Sequence, residues 1–466
     1  MTSFAEKFAP FAKRMQIEGL PDIVIRTFEH YYKQLAEGQT GLIPETDIRP
    51  VESLPDVKTF PEDLKEVGHA ALTKTVFLKL NGGLGTSMGL DRAKSLLLVK
   101  NKLSFLDIIA KHALHTNSLL VLMNSFATHN DSLTALEQYP QLRKKTDIPL
   151  GFLQHKVPKV TRADLSLASC SRDPNLEWCP PGHGDIFTAL VTSGMLDTLL
   201  ETGYEYTFIS NADNLGAVLD TAILGYFIKN KISYMAEVAD RTHMDTKGGH
   251  LAQRLDGQPV LRELAQCPPE DMKYFQDISR HKYFNTNSLW LHLPTLKDIL
   301  VTKNYIMGLP LICNAKQLDP RDSSSTPVYQ LETAMGAAIS IIEGAQAIRV
   351  PRTRFIPIKN TKDLLPLRSD AYTLADDFRA IPNPDRKLKR FAVDLDPTYY
   401  RLIADMEARF PYGTPSLIDC EQLSIKGDVK FGHNVTLKGR VEIVNKSKQQ
   451  QEIPDNTVIK DELYIT

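Results

Sequence analysis

The stretch LKLNGGLGTSMGLDRAKS, residues 78–95, sets four glycines and a Thr-Ser pair between an apolar run and Lys94. A loop that cradles phosphate needs glycine, because backbone N–H groups must face the anion with no Cβ in the way. A lysine just beyond it can put a point charge on a phosphate. The spacing is not the Walker pattern, since Lys94 follows Ala93 rather than glycine. Nor is it a strict G-x-G-x-x-G, since Met88 stands where the third glycine belongs and Gly89 comes one residue late. A relaxed dinucleotide loop and a tight turn without a ligand both stay open at this point.

Four further stretches carry groups of a related kind. In CPPGHGDIF, residues 179–187, Gly182, His183 and Gly184 precede a predicted helix start near Asp185, where backbone amides and a positive helix end would converge. His183 serves equally well as a local hydrogen-bond donor, and no other histidine stands at metal-binding spacing from it. In YTFISNADNLG, residues 206–216, an apolar run leads into Asn211 and Asp213. One carboxylate plus substrate phosphates is how magnesium is usually held, and Asn-x-Asp-Asn is also a good turn and helix cap. FNTNSLW, residues 284–290, repeats the pattern with Asn285 and Asn287, whose amides suit sugar hydroxyls or a turn. VPRTRFIPIKNTKDLL, residues 350–365, presents Arg352, Arg354 and Lys359 in Pro-bounded chain, where a solvated basic face is the default.

An α/β core must position these groups. From about residue 70 to 300, short apolar runs (TVFLKL, LLVLMN, LGFLQH, YTFIS, ISYMAEV, YFNTNSLWLHL) alternate with helical stretches such as FLDIIAKHAL and DIFTALVTSGMLDTLLE. That is the pattern of a largely parallel sheet covered by helices. Ligands of such sheets gather at the carboxyl ends of strands, and the glycine loop follows the first one. Residues 40–66 carry prolines and charges without periodicity, and are expected to wrap an amphipathic N-terminal helical segment onto the core. In the tail, LSIKGDVKFGHNVTLKGRVEIV, Val429, Val435 and Val441 recur every six residues, with Phe431, Leu437 and Ile443 two positions later. That is a hexapeptide β-helix signature, to which a meander of short strands is the alternative.

Composition bounds the rest. The 466 residues, 42% hydrophobic, suffice for several domains around a sizeable core. Lys and Arg (55) balance Asp and Glu (56), so no global field draws nucleic acid or an anionic membrane, and any anion must be held locally. The five cysteines are scattered without metal or redox spacing and read as reduced thiols. With no secretory or membrane-spanning stretch in view, the expected location is the cytoplasm.

In chain order, the glycine loop, Lys94, FLQHKVPKV, PPGHGD, SNADN, KGGHL, FNTNSLW and PRTRFIPIKNT resemble the UDP-glucose pyrophosphorylase family, the UTP–glucose-1-phosphate uridylyltransferases. The resemblance runs from about residue 70 to the tail. It implies a Rossmann-like nucleotidyltransferase core with a mostly parallel mixed sheet, plus a C-terminal left-handed parallel β-helix. The expected division is an N-terminal helical segment over 1–69, a catalytic domain over 70–370, and a linker with the β-helix over 371–466. By the same likeness the loop holds UTP. Leu80, Asn81, Gly82 and Gly83 line the nucleotide site, Lys94 meets the triphosphate, Gln154 with Gly182 reads the uracil edge, and Asp213 holds Mg²⁺. His183, Asn211, Gly249, Glu263, Asn285 and Asn287 surround glucose 1-phosphate. Lys359 reaches the phosphates from the far side of the cleft and shares the catalytic role with Lys94. Ala212 departs from the larger apolar residue of many relatives, and its contact is expected through backbone. The implied partners are UTP and glucose 1-phosphate, with no nucleic acid or membrane, and with self-association through the β-helix.

The implied reaction is attack of a glucose-1-phosphate oxygen on the α-phosphorus of UTP, which needs no protein nucleophile. The sequence indeed shows no Ser-His-Asp, Cys-His or paired-carboxylate constellation. A broader UDP-sugar pyrophosphorylase is an alternative. An NADP-dependent oxidoreductase on Gly83, Gly85 and Gly89 lacks the ribose-binding acid at the end of the second strand, where Asn124 stands. Against a non-catalytic nucleotide-sugar sensor stand Lys94, Lys359 and Asp213 together. An acyltransferase reading of the tail fails because its repeat is too short.

Overall fold

The computed structural model describes residues 3–143, 147–388 and 391–465. Ten strands form the main sheet: β1 Ile48–Pro50, β2 Thr75–Asn81, β3 Leu119–Asn124, β4 Gly151–Leu153, β5 Tyr206–Asn211, β6 Tyr234–Asp240, β7 His250–Arg254, β8 Pro259–Arg262, β9 Tyr283–His292 and β10 Gln346–Val350. Strands β5, β2, β3 and β4 lie side by side and parallel. Antiparallel β9 joins β5 to β6, which runs parallel to β10. Beyond β9, β7 carries β8 and β1 as antiparallel neighbours. The parallel-rich α/β sheet expected from the apolar runs is therefore present.

These runs make central strands because both faces are buried. Alternate residues of β2 go to opposite sides: Val76 and Leu78 pack with the helix Ile186–Thr192, whereas Phe77 packs with the helix Phe105–His115. Leu80 stands opposite Asn211 of β5 and Met123 of β3, so three strands end level, and the glycine loop leaves from the middle one. Between them the sheet edge turns polar.

Two expectations need correction. The helix read over 185–201 is two helices, Ile186–Thr192 and Met195–Glu201, broken at Gly194, which sits at φ +72°. The stretch 40–66 does more than wrap, since Ile48–Pro50 adds a strand to the sheet edge. The N-terminal segment forms helices α1 (Phe4–Ile17) and α2 (Asp22–Ala36). Phe8, Phe11 and Met15 make one apolar stripe of α1 and meet Phe28 and Tyr32 of α2, and the pair docks on Val157, Trp178 and Leu331.

In the tail, β11 Ala392–Leu395, β12 Cys420–Lys426, β13 Val429–Phe431, β14 Thr436–Asn445, β15 Gln451–Ile453 and β16 Val458–Ile465 are paired in parallel, in the orders β11-β12-β14-β16 and β13-β15. Ile425 faces Ile443, three hexads along, whereas Phe431 faces Ile453 and Leu437 faces Ile459 across longer intervals, so the six-residue register does not carry through the whole stack. Val429, Val435, Val441, Phe431, Leu437 and Ile443 are all buried. A meander, which needs antiparallel neighbours, is ruled out. Among the described residues no helix is long and apolar enough to cross a membrane.

Candidate active site

A cleft of about 370 Å³ opens at the carboxyl ends of β2, β3, β4 and β5, a size suited to small ligands. Leu80, Asn81, Gly82, Gly83 and Lys94 line it from the glycine loop. The loop is closed by the Lys94 N–H donating to the Gly83 carbonyl at 3.0 Å. Gly85 inside it has φ +68°, and the Lys94 stem lies 3.3 Å from where a Cβ would stand, so glycine lets the lysine fold back over the loop. Lys94 Nζ then meets the Asp213 carboxylate at 2.7 Å, both side chains only partly exposed. Asn81 differs from expectation in its use. Its Nδ2 donates to Asn124 Oδ1 and Ser132 Oγ, both at 2.7 Å, so its side chain braces β2 against β3.

Gln154 follows β4, and its backbone N–H donates to the Asn124 carbonyl at 2.7 Å. Its side-chain Nε2 donates to the Gly182 carbonyl at 2.9 Å, which joins the two groups assigned to uracil. The Gly182-His183-Gly184 turn spends part of the amides that the sequence led us to expect to be open to an anion. The Gly184 N–H is taken by the Thr333 carbonyl and the Asp185 N–H by the Gly182 carbonyl. The Asp185 carboxylate accepts from the His155 N–H at 2.8 Å and lies 3.0 Å from the His155 ring. His183 Nδ1 accepts from the Met335 N–H at 3.1 Å, which leaves the proton on Nε2. Desolvation holds the pKa of this ring down to about 4, so it is a neutral donor beside the cleft.

The opposite wall is a chain of amides. Asn211, Ala212 and Asp213 line the cleft with Asn287. Asn287 Nδ2 donates to Asn211 Oδ1 at 2.8 Å, the Asn287 N–H donates to Asn285 Oδ1 at 3.0 Å, and Asn285 Nδ2 donates to Glu263 at 3.2 Å. The Asn285 N–H donates to the Gly249 carbonyl at 2.9 Å. Asn287 sits at φ +57° where β9 shifts register against β6, a bulge that turns its side chain toward the cleft. Its Oδ1 is buried without a partner, ready for a hydroxyl. Burial raises the Glu263 pKa, against the Asn285 hydrogen bond and the charge of Lys359. Gly249, Glu263 and Asn285 therefore stand behind the wall.

Lys359 is also placed differently from expectation. It lines an adjoining cavity of about 260 Å³ with Lys247, Arg352 and Asp363. The physical reason is local: the Lys359 and Asn360 N–H groups both donate to Asp363, capping the helix Thr361–Arg368 and fixing the chain there. Burial raises the Asp363 pKa, against the two backbone hydrogen bonds and the charges of Lys359 and Lys94. Arg354 is no solvated base: it is 3% exposed and donates to Glu237 at 2.6 and 2.8 Å. Nothing in its Pro-bounded sequence context announced that burial. Asn124 and Ser125, which brace the glycine loop, were equally unmarked, except that an Asn-Ser pair ending an apolar run invites such bonds.

Among the described residues no cluster of three or more His, Cys, Asp or Glu side chains could hold a metal alone. The single carboxylate of Asp213, at the cleft beside a long-stemmed lysine, does fit a magnesium whose other ligands are phosphate oxygens and water.

The family model described as UTP–glucose-1-phosphate uridylyltransferase matches residues 25–438. The chain belongs to that family. It is 41% identical to the potato (Solanum tuberosum) UTP–glucose-1-phosphate uridylyltransferase over 418 residues, 88% of this chain and 84% of the relative. To the barley (Hordeum vulgare) enzyme of the same name it is 42% identical over 410 residues, 86% and 83% of the two chains. A crystal structure of a point mutant of Leishmania major UDP-glucose pyrophosphorylase in complex with UDP-glucose superposes with a TM-score of 0.92 at 41% identity, over 99% of this chain and 100% of that one.

Proposed function

We propose that this uridylyltransferase-family chain forms UDP-glucose and pyrophosphate, reversibly, from UTP and glucose 1-phosphate. One observation carries the reading. A single cleft joins the glycine loop, the Lys94–Asp213 pair and the Gln154–Gly182 pair to the Asn211–Asn287–Asn285–Glu263 chain. The first set suits a nucleoside triphosphate and the second suits sugar hydroxyls.

The sugar phosphate is largely ionised near neutral pH, so the difficulty is bringing two anions together rather than removing a proton. A phosphate oxygen of glucose 1-phosphate bonds to the α-phosphorus, the bond from that phosphorus to the bridging oxygen of the β-phosphate breaks, and pyrophosphate leaves on the opposite side. Lys94 exchanges Asp213 for triphosphate oxygens. Asp213, freed of it, is the carboxylate for magnesium, which when bound would neutralise charge on the phosphates. Asn287 and the neutral His183 ring orient the incoming sugar phosphate, and Lys359 meets charge at the phosphates from the adjoining cavity. Alignment and charge neutralisation supply the acceleration.

The same reading divides the chain near residues 70 and 370, makes the terminal coil a left-handed β-helix, and gives its outer strands a role in self-association. Light scattering of the chain with and without residues 421–466 tests that role. Five unpaired thiols suit the reducing cytoplasm. The decisive experiment is pyrophosphate release from UTP with a panel of sugar 1-phosphates, with and without Mg²⁺. Release with glucose 1-phosphate that disappears in EDTA is expected. No release, with reduction or oxidation of NADP instead, would overturn the proposal, and equal rates with several sugars would favour the broader UDP-sugar enzyme.

A further inference from the structure

Asp213 and Lys359 line different cavities, yet their backbones are tied together. The Ile358 N–H, one residue before Lys359, donates to the Asp213 carbonyl at 3.1 Å. The next residue, Asn214, is 2% exposed, and its side chain is spent wholly on this junction. Its Oδ1 accepts from the Ile356 N–H at 2.9 Å and the Gly216 N–H at 3.2 Å, and its Nδ2 donates to the Arg354 carbonyl at 3.1 Å. One amide thereby satisfies a donor and an acceptor of the segment 351–360 and a donor of its own loop. Gly216 permits the approach, since a Cβ there would lie 2.4 Å from the Thr353 carbonyl oxygen.

The loop is held from below as well. Lys79 Nζ, in the central strand β2, donates to Ser210 Oγ and to the Ala217 carbonyl, both at 2.7 Å. Arg354 donates to the Val218 carbonyl at 2.9 Å while pairing with Glu237. The 211–218 loop is anchored at both ends, and Asn214 is the link from it to the segment that carries Lys359.

We propose that Asn214 is a positioning residue that holds Lys359 at a fixed place relative to Asp213, so that the cation from one cavity meets charge developing in the other. The inference rests on the uridylyltransferase reading for its catalytic consequence and on geometry alone for the tie. Misplacing a catalytic cation by about 1 Å costs on the order of 10²-fold in rate.

The test is a double-mutant cycle joined to hydrogen exchange. Asn214→Ala should lower kcat by about tenfold to a hundredfold while direct UTP binding changes little. Asn214→Asp, which keeps both acceptor bonds but sets a carboxylate oxygen against the Arg354 carbonyl where the donor stood, should fall at least as far as Asn214→Ala. Adding Asn214→Ala to Lys359→Ala should cost less than about twofold further, because the group being positioned is already gone. Amides of 351–360 should exchange faster in Asn214→Ala than in wild type. Independent, multiplying losses of kcat would overturn the proposal, as would unchanged exchange in 351–360. Exchange needs no turnover, so a wild-type chain that makes no UDP-glucose would sink the functional reading while exchange still decides the tie.

Discussion

Where the glycine loop meets Asp213, the charged groups are held by a contact that the proposed ligand has to replace, whereas the amides of the facing wall are already spent on one another. Lys94 and Asp213 neutralise each other at 2.7 Å, and in the proposed reaction phosphate and magnesium would separate them. Across the cleft, Asn211, Asn285 and Glu263 are fixed by the chain that runs through Asn287, whose Oδ1 is buried without a partner. On the proposed reading the first wall switches partners on binding, and the second is pre-organised for the hydroxyl-rich sugar ring of the other substrate. Triphosphate affinity should therefore be the more salt-sensitive of the two.

The largest way to break this contrast is through Lys359, which belongs to neither wall. A group that meets charge only as it develops contributes to turnover more than to binding. Lys359→Ala should lower kcat by on the order of 10² to 10³ while KM for UTP moves less. Lys359→Arg should recover little, since a planar fork does not replace a compact point charge. A raised KM with wild-type kcat would make Lys359 a third, ground-state binding element and remove the catalytic role.

How far the sequence exposed these walls follows from the range of the forces involved. The glycine loop, the level strand ends and the buried six-residue repeat of the tail were legible because each is written in neighbouring residues: glycine runs, apolar alternation, a fixed repeat. Twelve of the expected site residues, from Leu80 to Asn287, converge on one cleft, and several of them, such as Leu80, Gly82 and Asp213, stand at or just past a strand end set by its own apolar run. The place of Lys359 was not legible, because it depends on Asp363 capping a helix and on Asn214 reaching across from residues far earlier in the chain. Nor was the burial of Arg354 against Glu237, a pairing between distant segments that no local pattern encodes. The GHG turn was legible only in part: its local pattern promised free amides, and distant Thr333 consumed one.

A middle-sized effect concerns the first wall alone. Gln154 is held to Gly182 by one of its two amide donors, and its Oε1 faces the glycine loop near Gly82. An amide can offer both a donor and an acceptor to a uracil edge, and paired groups of this kind discriminate by about 1 to 3 kcal/mol. Gln154→Ala should narrow the preference for UTP over CTP by that amount and leave the KM for glucose 1-phosphate near wild type. An unchanged UTP to CTP ratio of kcat/KM would show that another group reads the base.

The smallest effect separates the walls by what stands behind them. Behind the first are amide and hydroxyl brackets from Asn124, Ser125 and Ser132, which do not titrate near neutral pH. Behind the second is His250, the neighbour of Gly249, fully buried and stacked on His281 with ring centroids 3.9 Å apart. Neither nitrogen of its ring has a partner. Burial lowers its pKa well below the usual value, and His281, Arg241 and Arg262 push the same way. His281 in turn meets Glu45 at 3.0 Å, Glu45 is shared with Arg262 and Arg280, and Asp271 also meets Arg262. The sign follows directly. As pH falls through about 6.5 the unfolded chain takes up a proton at this histidine and the folded one does not, so the unfolded state gains and stability falls with pH. The loss begins near pH 6.5 and amounts to at most about 1.4 kcal/mol per pH unit for one such group. His250→Leu should therefore flatten the decline in unfolding free energy between pH 6.5 and 5 relative to wild type, as read from urea midpoints at each pH. Hydrogen exchange at pH 5.5 should show residues 249–263 opening more readily than residues 76–94. If the two pH profiles run parallel, His250 is not the titrating group, and if both walls open together, the contrast between them does not extend to what supports them.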